Sequence, residues 1–254
     1  MSTWWCDPAL PIGAGQAFAD LERVFALDGE LIAKSPLSRV LRVTLEGRRY
    51  YVKHYVGDRS GLLRSWFGLR SRLLTPRVQK EWENLLAFQS WGIPTARLVA
   101  YGQERHGGRF VRGALITEEL AGTADLAQMA NEGDPRLKDG RWVAAVSRQL
   151  AQATRAMHAA GFAHNDLKWR NLLVDRNEPP RLYLIDCPTG GRWWGPFLDY
   201  RKIKDLACLD KVARYQLSRP QRLRFYLDYV QRPRLNAADR KVLAKVLAFF
   251  AGRE

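Results

Sequence analysis

A chain of 254 residues with 46% hydrophobic content can fill one bilobal core or two small ones, and its 41 basic against 26 acidic residues give a net charge of +15. A field of that sign concentrates anions at the surface without choosing among ATP, phosphorylated glycolipid, anionic membrane and nucleic acid. Cys6, Cys187 and Cys208 are too few and too scattered for a disulfide framework or, with four histidines, for a structural zinc site. The N-terminus has no basic segment leading into an apolar one, and no stretch reaches the length of a membrane span, so a cytoplasmic location is expected.

In chain order, Val40 to Leu45 and Arg49 to Tyr55 predict two strands joined by a turn around Glu46-Gly47-Arg48, with Tyr51, Lys53 and Tyr55 on one face of the second. A strand lysine is ordinarily a solvated one, so Lys53 needs a partner to count as functional. A basic insert at 57–75 follows. There Arg64, Arg70 and Arg72, with Arg77 just beyond, are interleaved with Leu62, Leu63, Trp66, Phe67, Leu69, Leu73 and Leu74. That composition suits a basic amphipathic element, equally able to touch lipid or to pack on the small lobe. Thr75-Pro76 is an N-cap with proline at the first helical position, and the helix runs to about Trp91 before Gly92-Ile93-Pro94 stops it. Val78, Glu81, Leu85 and Phe88 share one helix face. Glu81 is therefore a carboxylate inside an apolar stripe, costly to bury without a cation. A Lys53–Glu81 ion pair is the expectation, with Glu83, pointing the other way, as the lesser candidate.

Further on, Val143, Val146, Leu150, Ala153 and Met157 repeat at helical spacing, and Gly161 stands where a left-handed cap belongs. His164-Asn165-Asp166-Leu167-Lys168-Trp169-Arg170-Asn171 comes next. Leu172-Leu173-Val174 and Arg181 to Ile185 then read as a hairpin, closed by the turn at 175–180, that carries Asp186 back toward Asn171. An Asp and an Asn five residues apart, with a second Asp twenty residues after the first, is how the kinase fold places one base and two metal ligands around a transferred phosphoryl group. Asp166 would take the acceptor's proton, while Asn171 and Asp186 would supply the hard oxygen ligands that Mg²⁺ prefers. Lys168 is placed to stabilise the transferred group, Arg170 to meet substrate or solvent, and His164 to serve as buried scaffold. Arg192-Trp193-Trp194, with Arg201, Lys202 and Lys204, lies where an acceptor would approach: aromatic faces stack on sugar rings, and the cations pair with phosphate or carboxylate, although either Trp taken alone reads by default as core packing. Gln221 to Tyr229 and Ala237 to Phe250 read as two amphipathic helices, the second burying Val242, Val246, Leu247 and Phe250.

Lys53, Glu81, the Gly-Ile-Pro stop, Leu115 to Leu120, His164 to Asn171 and Asp186 follow the order of bacterial kinase-like phosphotransferases. Over roughly residues 30 to 230 the chain resembles the lipopolysaccharide kinases that phosphorylate Kdo or heptose in the inner core. The resemblance implies an α+β, bilobal protein-kinase-like fold. Residues 1–117 would form a small antiparallel-sheet N-lobe with one long helix, and 118–254 a mostly helical C-lobe beginning with a hinge at 118–122. It implies ATP and Mg²⁺ as cofactors, an inner-core glycolipid as acceptor, and work at the cytoplasmic face of the bacterial inner membrane, on an anionic surface. It makes Lys53 the lysine of the phosphates, oriented by Glu81; the backbone of Glu118, Glu119 and Leu120 the adenine-binding hinge; and Asp205, at the start of a later helix, a brace for the catalytic loop. Nucleic acid is not expected as a partner, and nothing in the sequence sets the number of subunits. Two departures stand out. Glu30 to Arg39 contains no glycine where a glycine-rich loop is usual, and Cys187-Pro188 follows Asp186, which suggests a fixed active site without a movable activation segment. Cys187 is either a thiol at the nucleotide pocket or inert core. A phosphotransferase for small molecules, a protein or RNA-associated kinase, and a pseudokinase or basic binding module remain as alternatives.

Overall fold

The computed structural model describes residues 2–57 and 75–252, which leaves nearly all of the basic insert, and its lipid-contact reading, outside the described residues. The chain divides into two compact units, Met1–Leu86 with Ala96–Leu120, and Ala87–Thr95 with Ala121–Glu254.

The first unit runs β1 (Ser2–Cys6), α1 (Ile12–Ala17), α2 (Leu21–Phe25), β2 (Glu30–Ser35), β3 (Ser38–Leu45), β4 (Arg48–Val56), the body of α3 (Arg77–Ser90), β5 (Leu98–His106) and β6 (Arg109–Glu118). Its six strands form one antiparallel sheet in the order β1-β5-β6-β4-β3-β2. Leu45 pairs with Arg48 across a two-residue turn in which Glu46 and Gly47 both take positive φ, the conformation whose twist matches a tight hairpin. The β2–β3 turn, where glycines were missing, is closed by serines: the Ser35 and Ser38 hydroxyls lie 2.8 Å apart, and the Ser38 amide donates to Ser35 Oγ at 3.1 Å. β1, for which the sequence offered no reading, lies against β5 at Gly102, where a Cβ would collide with the Thr3 carbonyl. Phe18, Tyr50, Val52, Val99 and Ile116 build the apolar core under the sheet.

In the second unit, β7 (Ala124–Asp125), α4 (Leu126–Glu132) and α5 (Gly140–Ala159) precede β8 (Phe162–Ala163), β9 (Leu172–Val174), β10 (Leu182–Leu184) and β11 (Gly191–Arg192). The chain ends in α6 (Gly195–Gln216), α7 (Arg219–Val230) and α8 (Ala237–Ala248). Helix α5 buries Val143, Val146, Leu150, Ala153 and Met157, and Gly161 just past its end has φ +70°, as the spacing anticipated. The side chains of Ser218 and Asn236 cap α7 and α8 in reciprocal capping boxes. Leu206, Ala207, Tyr226 and Val246 form the core between α6, α7 and α8. A cavity of about 490 Å³ opens among the helices, walled by Val143, Val146, Leu150, Leu206, Leu243 and Val246.

Two expectations are corrected. Leu247 is 57% exposed at the cavity's edge and not buried, because the face of α8 turned to the core carries Val242 and Val246, with Phe250 packing from just beyond the helix end. Asp205 sits in the middle of α6, not at a helix start; the helix opens at Gly195-Pro196, behind Trp194 and without any side-chain cap, so the sequence carried no Ser, Thr, Asn or Asp signal there. Among the described residues no helix is long and apolar enough to cross a membrane.

Candidate active site

In the first unit, the alternation along β4 puts Lys53 beside Tyr55, and the helical period of α3 buries Glu81 with Val78 and Leu85. Lys53 Nζ reaches Glu81 Oε1 at 2.8 Å, and the Tyr55 hydroxyl donates a short hydrogen bond to the other oxygen. Glu81 is 3% exposed, so the desolvation of its charge is offset by a cation and a phenol rather than by water. Glu83 is exposed and hydrogen-bonds Gln79. Tyr55 is the member of this cluster that sequence reasoning left without a role; its place two residues from Lys53 on the same strand face was the available signal. At the end of β6, the Glu118 and Glu119 amides donate to the carbonyls of Arg97 and Arg49 at 2.9 Å each, while their carboxylates meet Arg48, Arg97 and Arg49.

In the second unit, the loop at 164–171 is held from behind by Asp205. Its Oδ2 accepts the His164 amide at 2.7 Å and its Oδ1 the Asn165 amide at 2.8 Å. His164 itself is fully buried and lies over Phe88, with ring centroids 6.0 Å apart. Burial pushes its imidazole pKa down, so it is a neutral scaffold group. The Asp166 carbonyl accepts the Lys168 amide at 2.9 Å and the Asn171 amide nitrogen at 2.8 Å. With Nδ2 committed there, Asn171 turns its carbonyl oxygen the other way. The Ile185 amide donates to the Asn171 carbonyl at 3.0 Å, which lays the residue before Asp186 alongside Asn171.

The Asp166 carboxylate is engaged on both oxygens, by Lys168 Nζ at 2.5 Å and by Arg170 Nη2 at 3.0 Å. Arg170, read as facing substrate or solvent, is therefore a partner of Asp166. Burial raises the Asp166 carboxyl pKa, but the hydrogen bonds and charges of Lys168 and Arg170 outweigh it and hold it below the usual carboxylate range. At neutral pH the group is ionised and can accept a proton. Both cations are about half exposed, so their side chains can swing away without disturbing the core.

Asn171 and Asp186 offer an amide oxygen and a carboxylate, a hard donor pair of the kind Mg²⁺ takes alongside water and phosphate oxygens. Among the described residues no group of three or more His, Cys, Asp or Glu is placed to hold a metal ion. Asp186 adopts φ +57°, a left-handed conformation that Asp tolerates better than most residues. Cys187 is fully buried, its Sγ 3.9 Å from the His164 carbonyl, which fits the core reading. Arg192 and Trp193 continue from β11: the Trp193 amide donates to the Gly161 carbonyl at 2.8 Å, and Trp194 is 76% exposed. Arg201, from α6, lies over the Trp193 ring at 4.4 Å and hydrogen-bonds Asn165 Oδ1 at 3.0 Å.

Fold and motif together define a phosphotransferase with a kinase-like architecture. The sequence profile of the lipopolysaccharide kinase (Kdo/WaaP) family matches residues 25–229. The chain belongs to that family, and lipopolysaccharide-core sugar kinase activity goes with the membership. It is 29% identical over 230 residues to the lipopolysaccharide core heptose(I) kinase WaaP of Pseudomonas aeruginosa, covering 84% of this chain and 81% of that one. An Escherichia coli protein of the same description is 27% identical over 146 residues, 57% of this chain and 54% of its own. The solved structure of WaaP in complex with acyl carrier protein superposes with a TM-score of 0.74 at 26% identity, covering 99% of this chain and 97% of the other.

Proposed function

We propose that the chain transfers the γ-phosphoryl group of ATP, with Mg²⁺, to a hydroxyl of an inner-core heptose. The heptose rather than Kdo is favoured because the relatives at 29% and 27% identity are described as heptose(I) kinases. The observation that carries the reading is Asp166, ionised, held at the head of a loop that Asp205 fixes, with Asn171 five residues on.

In this mechanism Lys53, kept in place by Glu81 and Tyr55, binds the α- and β-phosphates. Asn171 and Asp186 would hold Mg²⁺, which when bound neutralises charge on the phosphate oxygens. Asp166 orients the acceptor hydroxyl and takes its proton as the new P–O bond forms. Lys168, released from Asp166 as the hydroxyl arrives, turns its charge to the transferred group. Arg192, Trp193 and Trp194 are proposed for the acceptor, residues 118–122 for a hinge between lobes at 1–117 and 118–254, and the β2–β3 turn for the missing glycine-rich loop.

A peripheral place at the cytoplasmic face of the membrane is supported by the charge of +15 and by Trp194, Phe197 and Tyr200, exposed at the start of α6 beside Arg201 and Lys202. The neighbour's complex suggests acyl carrier protein as a partner here too. The apolar cavity of about 490 Å³ favours it, being of a chemistry that suits an acyl chain.

The test is transfer of labelled γ-phosphate from Mg-ATP to dephosphorylated lipopolysaccharide, with Asp166→Ala and a protein-only acceptor in parallel. Label on the glycolipid that vanishes in the variant is the expected result. Label on protein alone, or activity retained by Asp166→Ala, would overturn the reading.

A further inference from the structure

The residue before the catalytic Asp is held by more contacts than a loop residue needs. Asn165 has φ +65°, a conformation that is costly for most non-glycine residues and that asparagine bears better than most. It turns the chain sharply, so the direction in which Asp166 leaves the loop depends on it. Its backbone amide is fixed by Asp205. Its side chain is used at both ends: Nδ2 donates to the Thr189 carbonyl at 2.9 Å, and Oδ1 accepts from Arg201 Nη1 at 3.0 Å. Asn165 thus ties the loop of the base to the segment that follows Asp186.

Arg201 and the Thr189 carbonyl together fix which way that amide points, since the reversed amide would set an NH₂ group against the guanidinium and an oxygen against the carbonyl. The guanidinium is itself held over the Trp193 ring at 4.4 Å, close enough for a cation–π contact. The Trp193 amide in turn is pinned to the carbonyl of Gly161, shortly before the catalytic loop begins at His164. The chain of contacts runs from Gly161 through Trp193 and Arg201 to Asn165, with every link inside the second unit.

We infer that Arg201 is a positioning residue: it locks Asn165 in its left-handed conformation, and so aims Asp166 and joins the base loop to the Asp186 segment without any activating modification. In kinases switched by phosphorylation, arginine pairs with an added phosphate to order the corresponding region. Here the arginine finds a neutral amide of the loop itself. The inference rests on Asp166 being the base, as proposed above.

Steady-state kinetics with Mg-ATP and dephosphorylated lipopolysaccharide test it, on Arg201→Met, Arg201→Lys and Trp193→Leu, with Asp166→Ala beside them and thermal melts of each. A misaimed base slows the chemical step, and misplacement by an ångström is worth on the order of 10²-fold. Arg201→Met is therefore expected to lower kcat by roughly 10²-fold, with KM for ATP within about twofold of wild type and little change in Tm. Arg201→Lys, which can still donate to Oδ1, should recover part of the loss. Should Arg201→Met not fold, Trp193→Leu removes the stacking surface; because Trp193 is also proposed for the acceptor, the expected result there is a fall in kcat beyond any rise in KM for the glycolipid. Unchanged kcat in Arg201→Met or, failing that, in Trp193→Leu overturns the inference, as does a raised KM for the glycolipid with kcat intact, which would make Arg201 an acceptor ligand. Activity in Asp166→Ala would instead show that the underlying assignment of the base is wrong.

Discussion

Each unit contributes to the candidate site a carboxylate paired with a lysine, and the two are built differently. Glu81 in the first unit is 3% exposed and shares its charge with Lys53, itself 19% exposed, and with the Tyr55 hydroxyl. Asp166 in the second is 26% exposed, and its partners Lys168 and Arg170 are 47% and 60% exposed. Burial makes the first pair hard to take apart, because a stranded charge there has no water to fall back on. Exposure makes the second pair easy to rearrange, because ion pairs in solvent are worth little. A group that must hold a lysine still needs the first construction. A group that must let go of a lysine and take a proton needs the second.

The largest separation between the two should come from deleting each carboxylate. Asp166→Ala is expected to lower kcat by about 10³-fold or more while leaving the urea midpoint nearly unchanged, since the interactions lost are solvent-exposed. Glu81→Ala strands Lys53 and the Tyr55 hydroxyl. It should cost roughly 3 kcal/mol of unfolding free energy as well as activity, measured by urea titration of the full chain. If Asp166→Ala unfolds as readily as Glu81→Ala, the contrast fails.

A smaller effect sharpens the same contrast. Lys168 and Arg170 hold the Asp166 carboxyl below its ordinary range, so the basic form should persist to acid pH and the acid limb of the kcat/KM profile should lie low. Lys168→Met removes one of the two cations. The Asp166 pKa then rises and the acid limb moves to higher pH, with a loss of kcat at every pH because the phosphoryl group also loses a cation. A profile that drops in height without moving would mean that Lys168 does not set the ionisation of Asp166.

How much of this was legible in the sequence follows from which signals are local. Glu81 announced itself because a carboxylate in the apolar stripe of a helix needs a partner, and Lys53 lay on a strand with a face to offer. The loop at 164–171 was legible through spacing alone. Asp205 was readable only as a brace from family resemblance, and its place in α6 was misjudged because that helix begins at Trp194 and Pro196 with no polar cap to mark it. Arg201 appeared only as one cation in a basic stretch. Its hold on Asn165 is a contact across 36 residues that no periodicity encodes. β1 likewise depends on Gly102, a close approach visible only once two strands meet. The sheet's other hidden feature is His54, which alternation along β4 turns into the core among residues that looked merely apolar.

His54 supplies the smallest and most specific prediction. It is 1% exposed, lies against Phe25 with ring centroids 4.5 Å apart, accepts from Arg39 Nε at 2.8 Å on Nδ1, and so donates from Nε2 to the Val24 carbonyl at 3.0 Å. Both nitrogens are thus used by the neutral ring. Protonating Nδ1 would remove the acceptor that Arg39 needs and set two positive charges together. Burial first, and then the Arg39 charge, lower its pKa from 6.5 to about 4. Because the folded pKa lies below the unfolded one, the unfolded chain binds more protons between these values. The contribution to stability is full above pH 6.5 and is lost as pH falls toward about 4, to a limit of roughly 3 kcal/mol. His164 in the second unit is also held neutral by burial, so it adds a loss of the same sign. The difference between proteins therefore isolates His54. In His54→Gln the amide can still accept from Arg39 and donate to Val24 but cannot titrate. Urea unfolding of wild type and this variant at pH 8, 6.5 and 5 should show the wild type losing more on acidification. Parallel losses in the two would mean that His54 is not held neutral in the folded protein.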